Sequence, residues 1–294
     1  MPLGVGEPGV PVSGGHRSGV RPGAMHRSGV EPGTSVVLVG HGSRDPRSAQ
    51  ALHALTERVG AELAGVATVE LAFLELNEPS LEHVLARARG RVRLVPLLLT
   101  SAFHARDDLP GRARAALRGR RDLDVSIADV LGPHPMLDAA VAGRVRPLLG
   151  AGAERAATVA ELARLGGGAE PRGAQCAAGH DGVLLLGVGS SHDAANAEVD
   201  EVAERVGRAL EVPARAAFVT RGRTLHDALS ELTQRGAASP AVVPWFLAPG
   251  RLLDAGLESA RSLGLHATAA TLSDSLTGLV MLRALQATEP VLAA

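Results

Sequence analysis

Val36-Val37-Leu38-Val39-Gly40-His41-Gly42-Ser43 and Val183-Leu184-Leu185-Leu186-Gly187-Val188-Gly189-Ser190 share one pattern: a short valine and leucine run ends in Gly-X-Gly-Ser. A short unbroken apolar run closed by glycine reads as a strand buried on both faces of a parallel sheet, followed by a tight turn. Outward from these segments the repetition continues. Leu71-Ala72-Phe73-Leu74 is echoed by Ala216-Ala217-Phe218-Val219, and Leu94-Val95-Pro96-Leu97-Leu98-Leu99 by Val242-Val243-Pro244-Trp245-Phe246-Leu247. The copies lie about 147 residues apart at all three strands. A nearly constant offset means internal duplication, and a period this long makes each copy a whole lobe instead of a solenoid unit.

Strand-like runs at Val66–Leu74, Val92–Leu99 and Val125–Val130 follow the first strand at Ser35–Val39. Between them, Ser48–Leu63 carries Leu52, Leu55, Val59 and Leu63 at helical spacing, and Ser80–Arg89, Arg106–Arg118 and Met136–Leu149 also read as helices. This alternation predicts an α/β fold of two similar lobes, each a mostly parallel four-stranded sheet with helices on both faces. Residues 1–33 form a Gly/Pro/Ser/Arg-rich tail, with His-Arg-Ser-Gly-Val repeated at His16 and His26. The tail has too little apolar surface to offset its ordering entropy and is expected to be disordered, with Met25 as an alternative start. Residues 34–150 are the expected N-terminal catalytic lobe, 151–182 an Ala/Gly-rich linker, and 183–290 a degenerate C-terminal lobe.

The chain has 294 residues, with 30 basic against 31 acidic and every base an arginine. That balance speaks against a general nucleic-acid binder. Hydrophobic residues make up 46% but aromatics only 2%, so the core must come from Ala, Val and Leu. The single cysteine, Cys176, excludes an internal disulfide and any multi-cysteine zinc or iron–sulfur site. Its neighbour His180 adds only a second donor in a glycine-rich stretch. No run suits a signal peptide or the ~18 apolar residues of a membrane span. A soluble, cytoplasmic protein with no membrane or nucleic-acid partner is expected; its oligomeric state is not readable.

In an open parallel sheet, ligands bind beyond the carboxyl ends of the strands. In the first half those ends carry His41, Glu75 and His104. Two imidazoles and a carboxylate converging on one crevice can hold a divalent transition metal with coordination positions left open, and can equally accept protons. The corresponding residues of the second half are Val188, Thr220 and Leu252, so the scaffold is kept without the reactive groups. One half is expected to carry chemistry and the other to supply a wall, a lid or the rest of a pocket. Gly187-Val188-Gly189 is not a dinucleotide loop, because His192 stands where the third glycine belongs. Arg44 and Arg106 lie close to the two histidines and suit the carboxylates of a polyanionic ligand, as does the Ser43 turn. Arg47 and Arg112 read as solvated helix starts, Asp45, Asp107 and Asp108 as helix caps, His53 and His83 as surface residues, and His134 as a second-rank site candidate.

Val39-Gly40-His41-Gly42-Ser43-Arg44, Phe73-Leu74-Glu75-Leu76-Asn77-Glu78-Pro79-Ser80, Val95–Leu99 and His104-Ala105-Arg106-Asp107-Asp108-Leu109-Pro110 together resemble the sirohydrochlorin chelatases, the CbiX-type class II chelatases. The resemblance covers about residues 35 to 288. It implies two α/β lobes facing a cleft and ATP-independent insertion of Fe(II) or Co(II) into sirohydrochlorin, toward sirohaem or cobalamin. The metal would be a substrate, with no tightly bound cofactor. The family's two motif histidines and motif glutamate fall on His41, His104 and Glu75. From these residue types, His41 and His104 are expected to bind metal and take up pyrrolic protons, Glu75 to orient a histidine or relay a proton, and Ser43, Arg44 and Arg106 to contact substrate. Sequence leaves the choice between iron and cobalt open. It also leaves open a non-catalytic tetrapyrrole or metal carrier on the same fold.

Overall fold

The computed structural model describes residues 33–100, 108–149, 179–286, 288 and 291. Nearly all of the N-terminal tail, most of the linker with Cys176, and the segment holding Phe103, His104, Arg106 and Asp107 lie outside these residues. The first lobe runs β1 (Ser35–Gly40), α1 (Pro46–Glu62), β2 (Thr68–Phe73), α2 (Leu81–Arg87), β3 (Gly90–Pro96), α3 (Leu109–Leu117), β4 (Leu123–Ile127) and α4 (Pro135–Val145). The second runs β5 (Gly182–Gly187), α5 (Asp193–Leu210), β6 (Ala214–Phe218), α6 (Leu225–Gln234), β7 (Pro240–Pro244), α7 (Arg251–Ser262), a 3₁₀ turn (Leu272–Ser275) and α8 (Thr277–Leu285).

Both sheets are parallel, in the orders β2-β1-β3-β4 and β6-β5-β7. The register repeats with the sequence: Leu38 lies beside Leu71 and Val95, and Leu185 beside Ala216 and Val243. The second sheet departs from the expected four strands. In place of a fourth there is one bridge, Val242 to Ala267, flanked by Val242 N donating to His266 O at 2.9 Å and Thr268 N to Val242 O at 3.0 Å. β4 presents Leu123 and Val125 to its core. The segment around His266, Ala267 and Thr268 has little apolar surface to bury, so pairing stops after one bridge.

Because β1 and β5 are buried on both faces, their side chains alternate between two layers. Val37 and Val39 pack with α2 and α3 on the outer side of the first sheet, and Leu184 and Leu186 with α6 and α7 outside the second. Val36 and Leu38, with Val183 and Leu185, face inward into one continuous core built by α1, α4, α5 and α8. The order across the molecule is helices, sheet, shared helices, sheet, helices. Each fully buried Val or Leu contributes roughly 1.5–3 kcal/mol, so the middle layer joins the halves as one unit.

Helix α8 follows the second sheet in sequence but packs on β3 and α1 of the first lobe. Arg93, a buried arginine on β3, donates to the Ala284 and Gln286 carbonyls at its end, with Nε held by Ser126 Oγ at 2.8 Å. A cation on the terminal carbonyls satisfies groups that have no partner within the helix. Arg144 of α4 reaches Ala270 O at 2.9 Å and Ser275 Oγ at 3.1 Å, and Arg205 of α5 pairs with Asp138 of α4 at 2.6 Å. No described helix is long and apolar enough to cross a membrane.

Candidate functional site

The site is built from two loops laid against each other. After β1 the chain turns through Gly42, whose φ of 102° favours glycine. A Cβ at Gly42 would lie 1.8 Å from the Glu75 carbonyl oxygen, so only glycine lets the β1 and β2 loops touch. Three hydrogen bonds fasten them: Leu74 N donates to Gly40 O at 2.9 Å, Glu75 N to His41 O at 2.9 Å, and Ser43 N to Asn77 Oδ1 at 2.7 Å. His41 and Glu75 are thereby held on adjacent strand ends. Leu76, next to Glu75, takes φ 63° with its side chain exposed. A left-handed non-glycine residue costs about 1–2 kcal/mol, and here that strain sits beside the glutamate.

His41 is half-buried and lines a cavity of about 700 Å³ between the two sheets. The first lobe adds Leu97, Leu98, Leu99 and Thr100 from beyond β3; most of the remaining wall comes from the second lobe, including Phe218, Trp245 and Phe246. Glu75 is exposed and does not line this cavity. Ser43 Oγ accepts from Asp45 N at 3.1 Å, shaping the turn, and Arg44 is exposed one residue later. His104 and Arg106 lie outside the described residues. Among the described residues, no three His, Cys, Asp or Glu side chains group closely enough to hold a metal ion.

The second lobe repeats the two strand-end bonds without the reactive pair, but its serine bonds within its own loop and helix instead of across to the next strand's loop. Val219 N donates to Gly187 O at 3.0 Å, Thr220 N to Val188 O at 2.9 Å, and Ser190 N to Asn196 Oδ1 at 2.8 Å. Gly189 has φ 93°, and a Cβ there would come within 2.2 Å of Arg221 O. Val188 and Thr220 therefore occupy the places of His41 and Glu75 in space as in sequence.

A protein-family model described as CbiX matches residues 35–148 and again 182–274. The chain belongs to the CbiX family. Relatives of this CbiX chain include the sirohydrochlorin cobaltochelatase of Methanopyrus kandleri, 38% identical over 80 residues that make up 26% of this chain and 55% of that protein. The sirohydrochlorin ferrochelatase of Bacillus subtilis is 36% identical over 80 residues, 26% of this chain and 30% of that protein. The chain thus spans about half or less of the length of these relatives. Among solved structures, SirB from Bacillus subtilis with Fe3+ superposes with a TM-score of 0.63 at 22% identity, covering 86% of this chain and 94% of SirB. SirB from Bacillus subtilis subspecies spizizenii in complex with cobalt gives 0.63 at 20%, with the same coverage. At that identity the likeness concerns the two-lobed fold.

Other candidates have structural explanations in the CbiX chain. Asp45 caps α1, accepting from Arg47 N at 3.0 Å, and the Arg47 guanidinium holds its carboxyl below the usual carboxylate range. Arg47 is an exposed helix start, and it also pairs with the exposed Asp254 of α7 at 2.5 Å, bridging the lobes. Arg112 likewise has partners, in Asp108 at 2.8 Å, Glu82 at 2.9 Å and Leu74 O at 3.1 Å. Asp108 serves that ion pair and makes no side-chain cap on α3. His180 Nδ1 lies 3.0 Å from Ser239 O, and its ring stacks on His266 with centroids 5.0 Å apart. His53 and His83 are exposed, His53 lying edge-on to Phe73.

His134 is the N-cap of α4, its Nδ1 accepting from Met136 N at 3.2 Å. Burial and the Arg283 charge lower its pKa, against an opposing pull from Asp138. The unfolded chain takes a proton near pH 6.5 that the folded cap resists. Stability should therefore be flat above about pH 6.5 and fall as pH drops toward the folded pKa. His134→Asn keeps a capping acceptor without a titrating group. Urea unfolding between about pH 5 and 7 should show a shallower acid loss in the variant; an unchanged slope would mean the cap does not set this titration.

Proposed function

We propose that this chain is a sirohydrochlorin chelatase, inserting Fe(II) or Co(II) into sirohydrochlorin in the cytoplasm without ATP or a tightly bound cofactor, on a route to sirohaem or cobalamin. Family membership and the names of the relatives support the reaction class. The observation that carries most weight is the Glu75–His41 backbone bond, which sets a glutamate on the strand end next to the histidine that lines the cavity.

Metal insertion exchanges two pyrrolic protons for one divalent cation, so the site must handle both. In this reading the His41 imidazole binds the incoming metal and, once the metal has passed to the ring, takes up a pyrrolic proton. Glu75 orients that imidazole or relays the proton onward to solvent, which its exposure favours. His104 would supply the second imidazole, with Ser43, Arg44 and Arg106 on the ring carboxylates. Holding ring and metal at attack distance removes the entropy cost of their encounter.

The test is anaerobic incubation with sirohydrochlorin and Fe(II) or Co(II) in the absence of ATP, followed by visible absorbance. Many equivalents of metallated product per chain are expected. Saturation at one bound equivalent, with no turnover, would instead identify a carrier.

A further inference from the structure

We infer that Arg221, on the lobe that lacks the His–Glu pair, binds a carboxylate of the tetrapyrrole at the rim of the cavity. This rests on the sirohydrochlorin reading above. The cavity wall facing His41 is apolar and aromatic. The whole chain has four Phe and one Trp, and Phe218, Phe246 and Trp245 all line this one cavity. Trp245 Nε1 is buried with no hydrogen-bond partner among the described residues, a placement that an all-carbon side chain would make without loss. Such a wall suits the flat face of a macrocycle.

Among the described residues, Arg221 is the one permanently charged residue of the cavity lining. That lining also contains His41 and His192, and among the described residues no Asp or Glu. Arg221 has no ion pair or hydrogen bond from its guanidinium among those residues. The contrast lies two positions along: Arg223 is held by Asp200 at 2.7 Å and by Glu231 at 2.9 Å. The loop that carries Arg221 is fixed all the same. Thr220 N and Oγ1 both donate to Val188 O, at 2.9 and 2.8 Å, and Phe218 N donates to Arg223 O at 2.8 Å. Gly189 packs so closely on Arg221 that an added Cβ would lie 2.2 Å from its oxygen and 2.8 Å from its nitrogen. The backbone is pinned while the guanidinium stays open to solvent at the cavity rim. A rigidly based, unpaired arginine beside an apolar face fits a ligand with a hydrophobic plane and carboxylates at its edge.

Trp245 is the chain's one tryptophan, so its emission reports this wall directly. Titration with metal-free sirohydrochlorin should quench it in the wild type. In Arg221→Gln, Kd and KM for sirohydrochlorin should rise at least about tenfold, with kcat within about twofold. Arg221→Lys should recover part of the affinity, and the thermal midpoint should not move. Fully esterified sirohydrochlorin should bind wild type and Arg221→Gln equally. Unchanged affinity in Arg221→Gln, or an equal loss toward the ester, would overturn the inference while leaving chelation intact. A wild type that neither quenches nor inserts metal would overturn the chelatase reading as well.

Discussion

His41→Val is expected to abolish metal insertion while leaving the fold untouched. The substitution copies a solution already present in the molecule. At the equivalent turn Val188 accepts from Thr220 N at 2.9 Å, as His41 accepts from Glu75 N at 2.9 Å, and the following glycines have φ 93° and 102°. The loop therefore needs no imidazole to form. Positioned proton transfer contributes roughly 10²–10⁴-fold, and loss of a metal donor adds to that. The insertion rate should fall at least about 10²-fold, equivalent to about 2.7 kcal/mol at 1.36 kcal/mol per decade. The thermal midpoint should stay within about 2 °C. The reverse change, Val188→His, should add no activity, because Thr220 still stands where a carboxylate is needed. A His41→Val variant with unaltered rates would remove His41 from the mechanism.

Gly42→Ala should damage both stability and activity. The new methyl would sit 1.8 Å from Glu75 O in a backbone of φ 102°, so the β1 and β2 loops must part. Left-handed strain together with lost loop contacts should cost at least about 3 kcal/mol. Parting the loops also separates His41 from Glu75, and a displacement of about 1 Å at a reacting group can cost 10²-fold. Gly65→Ala is the matched comparison. Its φ is 76°, but nothing lies within 4 Å of the added carbon. It should lose only about 1–2 kcal/mol and keep its activity. Equal effects of the two alanines, read from urea unfolding and initial rates, would show that backbone strain alone governs both positions.

The repeated strand-turn segments were legible because burial on both faces demands an unbroken run of Val and Leu, and a loop-to-loop contact demands glycine. Gly42 and Gly189 print that contact into the sequence, and the pairing of His41 with Glu75 follows from it. Helix α8 was not legible. Leu279, Val280 and Ala284 specify an apolar stripe, but nothing local says which sheet it covers, and it crosses to the other lobe. The missing strand near Ala267 was overlooked because the duplication argued for symmetry where the side chains no longer support pairing. The aromatic wall was hidden for a related reason. Phe218 and Trp245 read as core of β6 and the β7 end, and only the facing of the two lobes turns their strand ends into one cavity. Arg221 follows Thr220 inconspicuously; the one signal available was a positive charge where the first lobe has Leu76.

The helical layer shared by both sheets also governs how a ligand enters. Two-lobed binding proteins often swing shut about a hinge, and such motion needs an interface that parts easily. Here Leu55, Val141, Val202 and Leu279, drawn from four helices of both halves, interlock in a single core, and Arg93, Arg144 and Arg205 rivet it. Opening the jaws would tear that core apart. That core braces the gap between the sheets from behind, and the flat macrocycle proposed as its guest would enter it edge-first.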